Sequence, residues 1–127
     1  MALPHVLVAE DSTEVCAAMR VLFEACDYRV STAGHVAKIV GIATADPVDL
    51  LLLDLGLADG DGFEVLDALR ASGHMPRVVV ALTGREEQEI ETRCLAAGCK
   101  AVLVKPVAIR ELMRLSAEWL APGSAPD

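Results

Sequence analysis

Aromatic side chains are scarce: one Trp, one Tyr and two Phe in 127 residues. The hydrophobic share is nonetheless 54%, so the core has to be built from Val, Leu, Ile, Ala and Met. Basic residues are outnumbered, 11 Lys and Arg against 19 Asp and Glu, for a formal net charge of −8. That balance argues against direct binding of nucleic acid, which needs a basic stripe. It suits metal cations or a basic protein partner. No apolar run approaches the length of a membrane span, so no membrane insertion is expected. No charged segment followed by an apolar one opens the chain, so no secretory signal is read and the cytoplasm is the expected compartment. CxxC pairs are lacking too. Cys16, Cys26, Cys94 and Cys99 stand apart from one another and from any histidine at ligand spacing. They are expected to be reduced, mostly buried small hydrophobes. His5, His35 and His74 share no motif and read as structural or surface residues.

What the chain does have is a run of four leucines, Leu50 to Leu53, that ends in Asp54 and a Gly- and Asp-rich loop. A short continuous apolar run bounded by turn residues reads as a strand buried on both faces. In open α/β sheets the ligand crevice lies outside the carboxyl ends of the strands. The leucine run therefore holds one carboxylate at a crevice.

The rest of the chain repeats the arrangement. His5 to Ala9 reads as a first strand, followed by Glu10-Asp11 and by Ser12 as a helix N-cap. A helical stripe then runs through Val15, Met19, Leu22, Phe23 and Cys26. Tyr28 to Ala33 is a second strand, and a weaker helix interrupted by Gly41 ends at Asp46-Pro47. After the leucine strand, Asp61-Gly62 starts a helix with Phe63, Leu66 and Leu69. Val78 to Leu82 is a fourth strand ending in Thr83-Gly84, and Glu86 to about Ala97 is a helix with an acidic first turn, closed by Gly98. Ala101 to Val104 is a fifth strand before Lys105-Pro106, and a last helix spans about Val107 to Leu120. Strand and helix alternate five times in a chain of one-domain length. That predicts an α/β fold, a parallel sheet with helices on both faces. The expected core is about 4–120, with 121–127 a linker-like tail.

Polar residues recur at the carboxyl ends of these strands: Glu10 and Asp11, Asp54, Thr83, Lys105. If the first, third, fourth and fifth strands are neighbours, the side chains converge. Three carboxylates together would raise one another's pKa values. A divalent cation relieves that repulsion, and hard oxygen ligands with room for water suit Mg2+. Lys105 offers a compact positive charge for a phosphoryl oxygen or a carboxylate. Gly56 and Gly84 leave backbone N–H groups open to an anion.

From Val6-Leu7-Val8-Ala9-Glu10-Asp11-Ser12, through Asp54 to Gly62, to Thr83-Gly84 and Lys105-Pro106, the chain resembles a receiver domain of the two-component response-regulator family. The resemblance spans about Pro4 to Leu120 and implies a flavodoxin-like, doubly wound (βα)5 fold with five parallel strands in the order 2-1-3-4-5. It implies that Asp54 is the phosphoacceptor for a histidine kinase or phosphotransfer protein. It implies that Asp11 and Asp54 ligate Mg2+, with Glu10 acting through a water and the Gly56 carbonyl as a further ligand. Thr83 would bond the phosphoryl oxygen and move when it arrives, and Lys105 would pair with the phosphoryl group. Gly56 and Gly84 would line the phosphoryl site. The implied role is a phosphoacceptor domain that switches a protein–protein surface, not a turnover enzyme. The downstream target is unspecified, and a homodimer through the fourth helix, fifth strand and fifth helix is one use of that surface.

Three positions depart from the family's usual residues. Ala58 stands where proline is common. Val102 stands where Tyr or Phe is common, so the aromatic half of the usual switch is missing. Val107 replaces an aromatic often found after Lys-Pro. These departures motivate an alternative, a phosphorylation-independent interaction module on the same fold. A Mg2+-dependent phosphatase with an aspartyl nucleophile usually carries a second acid two residues on, where this chain has Gly56. A flavodoxin would need a phosphate-cradling loop where Glu10-Asp11 stands.

Overall fold

The computed structural model describes residues 3–57 and 59–122. Five strands form one parallel sheet: β1 (His5–Ala9), β2 (Arg29–Ala33), β3 (Leu50–Asp54), β6 (Val78–Thr83) and β7 (Ala101–Val104). Between them come α1 (Thr13–Ala25), α2 (Val36–Ala45), α3 (Gly62–Ser72), α4 (Gln88–Ala96) and α5 (Ile109–Trp119). The sheet order is β2-β1-β3-β6-β7. Two short strands, β4 (Gly56–Leu57) and β5 (Gly60–Asp61), form a separate antiparallel hairpin after β3. With that hairpin set aside, the order is the 2-1-3-4-5 arrangement that the sequence implies.

The strand at the centre explains the two-sided architecture. Side chains alternate across a sheet, and all four leucines of β3 are fully buried. Leu51 and Leu53 pack with Ile39, Leu66, Leu69 and Cys94, beneath α2, α3 and α4. Leu50 and Leu52 pack with Met19, Phe23, Leu112 and Trp119, beneath α1 and α5. Each fully buried leucine contributes about 1.5–3 kcal/mol relative to exposure. A strand used on both faces cannot alternate with polar residues, so the run is continuous.

Helix ends follow local chemistry. Ser12 Oγ accepts from Val15 N at 3.3 Å and Asp61 Oδ1 from Glu64 N at 3.1 Å, capping α1 and α3. Asp59 reaches back to α2, whose own N-cap position His35 makes no side-chain cap, and takes Val36 N at 2.9 Å. At the end of α4, Gly98 N bonds Leu95 O and Cys99 N bonds Cys94 O, with Gly98 at φ +105°. This Schellman closure needs glycine at the left-handed position, and its usual apolar contact is made by Cys94 and Cys99, both buried.

The observed boundaries correct several expectations. Strand β2 starts at Arg29, not Tyr28, because Tyr28 N is spent on Phe23 O in the turn that closes α1. Helix α4 starts at Gln88, with Glu87 extended before it, and α5 at Ile109, with Ala108 extended. Val15 on α1 and Cys26 just past its end are exposed; only Met19 and Phe23 of the expected stripe are buried. All four cysteines are free, but only Cys94 and Cys99 are buried. His5 is buried and structural, with Nδ1 3.0 Å from Pro47 O and Nε2 2.7 Å from Ser31 Oγ. Ala58 and residues 123–127, most of the tail, lie outside the described residues. No helix among the described residues is long and apolar enough to cross a membrane.

Candidate functional site

The parallel register sets the site. Strand β3 lies between β1 and β6, and Asp54 stands opposite Leu82, one residue before Thr83. Leu55 N bonds Leu82 O at 3.0 Å, and Lys105 N bonds Thr83 O at 2.7 Å. The carboxyl ends of β1, β3, β6 and β7 are thereby held side by side. Glu10, Asp54 and Thr83 are buried, while Asp11 is exposed.

Glu10, Asp11 and Asp54 each offer a carboxylate oxygen, all within 4.8 Å of one another. Lys105 Nζ lies 2.6 Å from Asp54 Oδ2 and 3.4 Å from Glu10 Oε2. The Lys105–Pro106 peptide is cis. Asp54 Oδ1 accepts the Gly56 N–H at 2.9 Å, and Glu10 Oε1 accepts the Ser12 N–H at 3.2 Å. The Gly56 amide is thus spent on the Asp54 carboxylate itself.

Burial and the hydrogen bond to Asp54 push the Glu10 carboxyl up to about 7. Burial also pushes Asp54 upward, but hydrogen bonds from Glu10, Lys105 and Gly56 outweigh it and hold Asp54 below the ordinary carboxylate range. Mutual elevation is therefore not the outcome. The lysine favours the anion at Asp54, and Glu10 takes the proton. Burial disfavours charge on Lys105, yet its bonds to Asp54 and Glu10 keep the ammonium more basic than usual.

The donor set fits a hard divalent cation. Three carboxylates converge, and the exposed Asp11 leaves one side open to water. Gly56 pairs with Asp61 in the hairpin, flanked by the bond from Gly62 N to Leu55 O. That makes it a non-hydrogen-bonded pair, so the Gly56 carbonyl is not used by the partner strand.

Thr83 and Gly84 are placed differently. Thr83 Oγ1 accepts from Arg85 N at 3.1 Å and lies 3.4 Å from Arg85 O. The hydroxyl is committed to the turn leading towards α4. A Cβ added at Gly84 would meet nothing within 4 Å, so that backbone is open on one side. Val102 is half-buried against the α2–α4 core and Val107 against the α1–α5 core.

Sequence reading missed the β4–β5 hairpin, whose two-residue strands carry no periodicity. It also missed the Arg93 guanidinium, which lies 3.7 Å from the centroid of the Phe63 ring. The basic residue in α4 and the aromatic in α3 were both visible, but their meeting was not.

The family model for the response regulator receiver domain matches residues 6–116. The KDP operon transcriptional regulatory protein KdpE of Escherichia coli is 35% identical over 127 residues, covering 97% of this chain and 55% of that protein. A KdpE of Mycobacterium tuberculosis is 34% identical over 108 residues, 85% of this chain and 47% of that one. The chain spans about half the length of these curated relatives. Among solved structures, the receiver domain of a Pseudomonas aeruginosa sensor histidine kinase, with magnesium coordinated in its active-site cleft, superposes with a TM-score of 0.80. It is 28% identical and covers 93% of this chain and 98% of that one. A CheY-like receiver domain from Methanospirillum hungatei gives a TM-score of 0.82 at 26% identity, over 91% of this chain and 92% of that one.

Proposed function

Because the chain belongs to the response regulator receiver domain family of two-component signalling, we propose that Asp54 accepts a phosphoryl group from a phosphohistidine on a histidine kinase or phosphotransfer protein. The observation that carries this reading is the ion pair of Asp54 with Lys105 at 2.6 Å, set within three converging carboxylates. An ionised carboxylate is the form that attacks. An Asp54 oxygen bonds to phosphorus as the P–N bond breaks, and the imidazole leaves with the electron pair and takes up a proton. Such transfer depends on positioning and charge neutralisation more than on covalent help.

Glu10, Asp11, Asp54 and the Gly56 carbonyl would hold Mg2+, which when bound would supply positive charge to the phosphoryl oxygens. Lys105 moves its hydrogen bond from the carboxylate to the phosphoryl group. The Gly56 N–H turns from Asp54 Oδ1 to a phosphoryl oxygen, with the open Gly84 backbone beside it. Thr83 exchanges Arg85 N for the same group, and this exchange signals towards α4. The domain acts as a phosphoacceptor that assists its own phosphorylation and slow dephosphorylation rather than as a turnover enzyme. The same proposal takes residues 1–127 as a single receiver unit with a core of about 4–120, in the cytoplasm. The output is a switched protein surface, with a homodimer across α4, β7 and α5 as one form. The absence of direct nucleic-acid contact is proposed for this acidic chain alone, since the KdpE relatives are named transcriptional regulatory proteins and extend well beyond the match. A phosphorylation-independent module, motivated by Val102, is the less favoured reading, because Glu10, Asp11, Asp54 and Lys105 converge in one pocket.

The test is incubation with Mg2+ and acetyl phosphate followed by intact mass. Wild type should gain one phosphate and Asp54→Asn none. No gain on wild type, or an equal gain on the variant, overturns the reading.

A further inference from the structure

Helix α4 has one buried side chain, Cys94. Two arginines tie it sideways to α3. Arg93 lies over the Phe63 ring, and Arg70 Nη2 donates to Ala97 O just past the end of α4. Phe63 is the second residue of α3, and what precedes it is tight. A Cβ on Gly62 would meet Leu55 Cδ2 at 2.7 Å and Leu53 Cγ at 3.2 Å. Gly62 N also bonds Leu55 O at 3.0 Å. Asp61 caps α3 and pairs with Gly56, and Gly56 N–H holds Asp54 Oδ1. From the Asp54 carboxylate to the Phe63 ring, each link is a hydrogen bond, a strand pair or a close packing contact. The next link is a cation on α4. Val102, by contrast, brings no ring that could travel with Thr83.

We propose that Arg93 is a positioning residue that transmits a change at Asp54 through the β4–β5 hairpin and Phe63 to α4. This rests on the phosphoacceptor reading of Asp54. Release of Asp54 Oδ1 by the Gly56 N–H loosens the hairpin at the pair Gly56–Asp61. Gly62 has no slack towards Leu53 and Leu55, so the hairpin moves the first turn of α3 instead of deforming alone. A cation over a ring is held by the electrostatics of the ring face, so Arg93 follows Phe63. Arg70 holds the same end of α4 one turn further on, at Ala97, so displacement of Phe63 acts on the C-terminal turn and moves the helix from that end. The contact forms a contiguous physical path distinct from Thr83, whose hydroxyl acts on the segment before the helix.

Amide NMR of the whole chain with Mg2+ and beryllofluoride tests it, on wild type, Arg93→Met, Arg93→Lys and Phe63→Leu. Wild type should show shifts at Asp54, Gly56 and Thr83 and along residues 88–96. In Arg93→Met and Phe63→Leu the pocket shifts should persist while the α4 shifts fall at least about twofold, and Arg93→Lys should restore them in part because a cation remains over the ring. A full α4 response in both Arg93→Met and Phe63→Leu overturns the proposal, as does a wild-type response confined to the pocket or an Arg93→Lys indistinguishable from Arg93→Met. Absence of any wild-type shift at Asp54, Gly56 and Thr83 defeats the phosphoacceptor reading itself, a result distinguishable from failure of the Arg93 contact alone.

Discussion

Glu10 and Asp54 are both buried acids at one crevice, yet burial pushes the first up while hydrogen bonds from Glu10, Lys105 and Gly56 hold the second down. Glu10 has its carboxyl raised to about 7. An acid raised on folding favours the protonated native state, so this contribution to stability is complete below the ordinary value of 4.5 and lost as pH rises through about 7. Metal binding needs the carboxylates ionised and must displace that proton. Mg2+ affinity should therefore rise between about pH 6 and pH 8, with proton release detectable by calorimetry in buffers of different ionisation enthalpy. An affinity flat across that range would contradict the assignment of the proton to Glu10. Lys105→Met should raise the Asp54 pKa, since it removes a charge-assisted bond at 2.6 Å. Carboxyl carbon NMR titration reads this directly, and an unchanged or lower value would show that Glu10 and the Gly56 N–H hold the anion without the lysine.

Among the elements, those with the clearest periodic or terminal signals were the most legible. Strands β1, β3 and β7 run over the residues their sequence implies, because an unbroken apolar run ending in a charge has few other readings. The polar ends of these strands also made Glu10, Asp11, Asp54 and Lys105 visible before any geometry was known. Thr83 was legible as a strand terminus, but its bond to Arg85 was not, since hydroxyl partners depend on rotamer. The hairpin, the Asp59 bond to Val36, and Arg93 on Phe63 were illegible because each joins residues far apart in sequence or in segments too short for a period. Two substitutions separate glycines that matter from one that does not. Gly41 lies within α2, and a Cβ added there would meet nothing within 4 Å, so Gly41→Ala should stabilise by about 0.5–1 kcal/mol in urea unfolding. Gly62→Ala should destabilise by about 1–3 kcal/mol, because the added carbon overlaps Leu55. Equal effects at the two positions would contradict the packing described.

At the scale of the whole molecule the open sheet has two edges, and β2 is one of them. Residues 29, 31 and 33 face β1, as the bonds of Arg29 N to Pro4 O and Glu10 N to Ala33 O require, which turns the backbone groups of Val30 and Thr32 outwards. Arg20 on α1 covers this edge, with Nη1 2.9 Å from Val30 O and Nη2 3.5 Å from Thr32 Oγ1. A charged cap of this kind blunts strand-to-strand association. Arg20→Ala should increase self-association with concentration in light scattering, while wild type shows less at the same loading. No difference between the two would mean that the edge is protected by other means.

The central strand has a last consequence, for how such a molecule can diverge. Leu51 and Leu53 belong to one core and Leu50 and Leu52 to the other, so Phe23 and Ile39 sit in compartments that share a wall but no filling. Substitutions on the two sides should combine additively. A lineage is then free to rework the helices on one side, and the companions they meet, while the inherited chemistry at the end of the wall stays as it was.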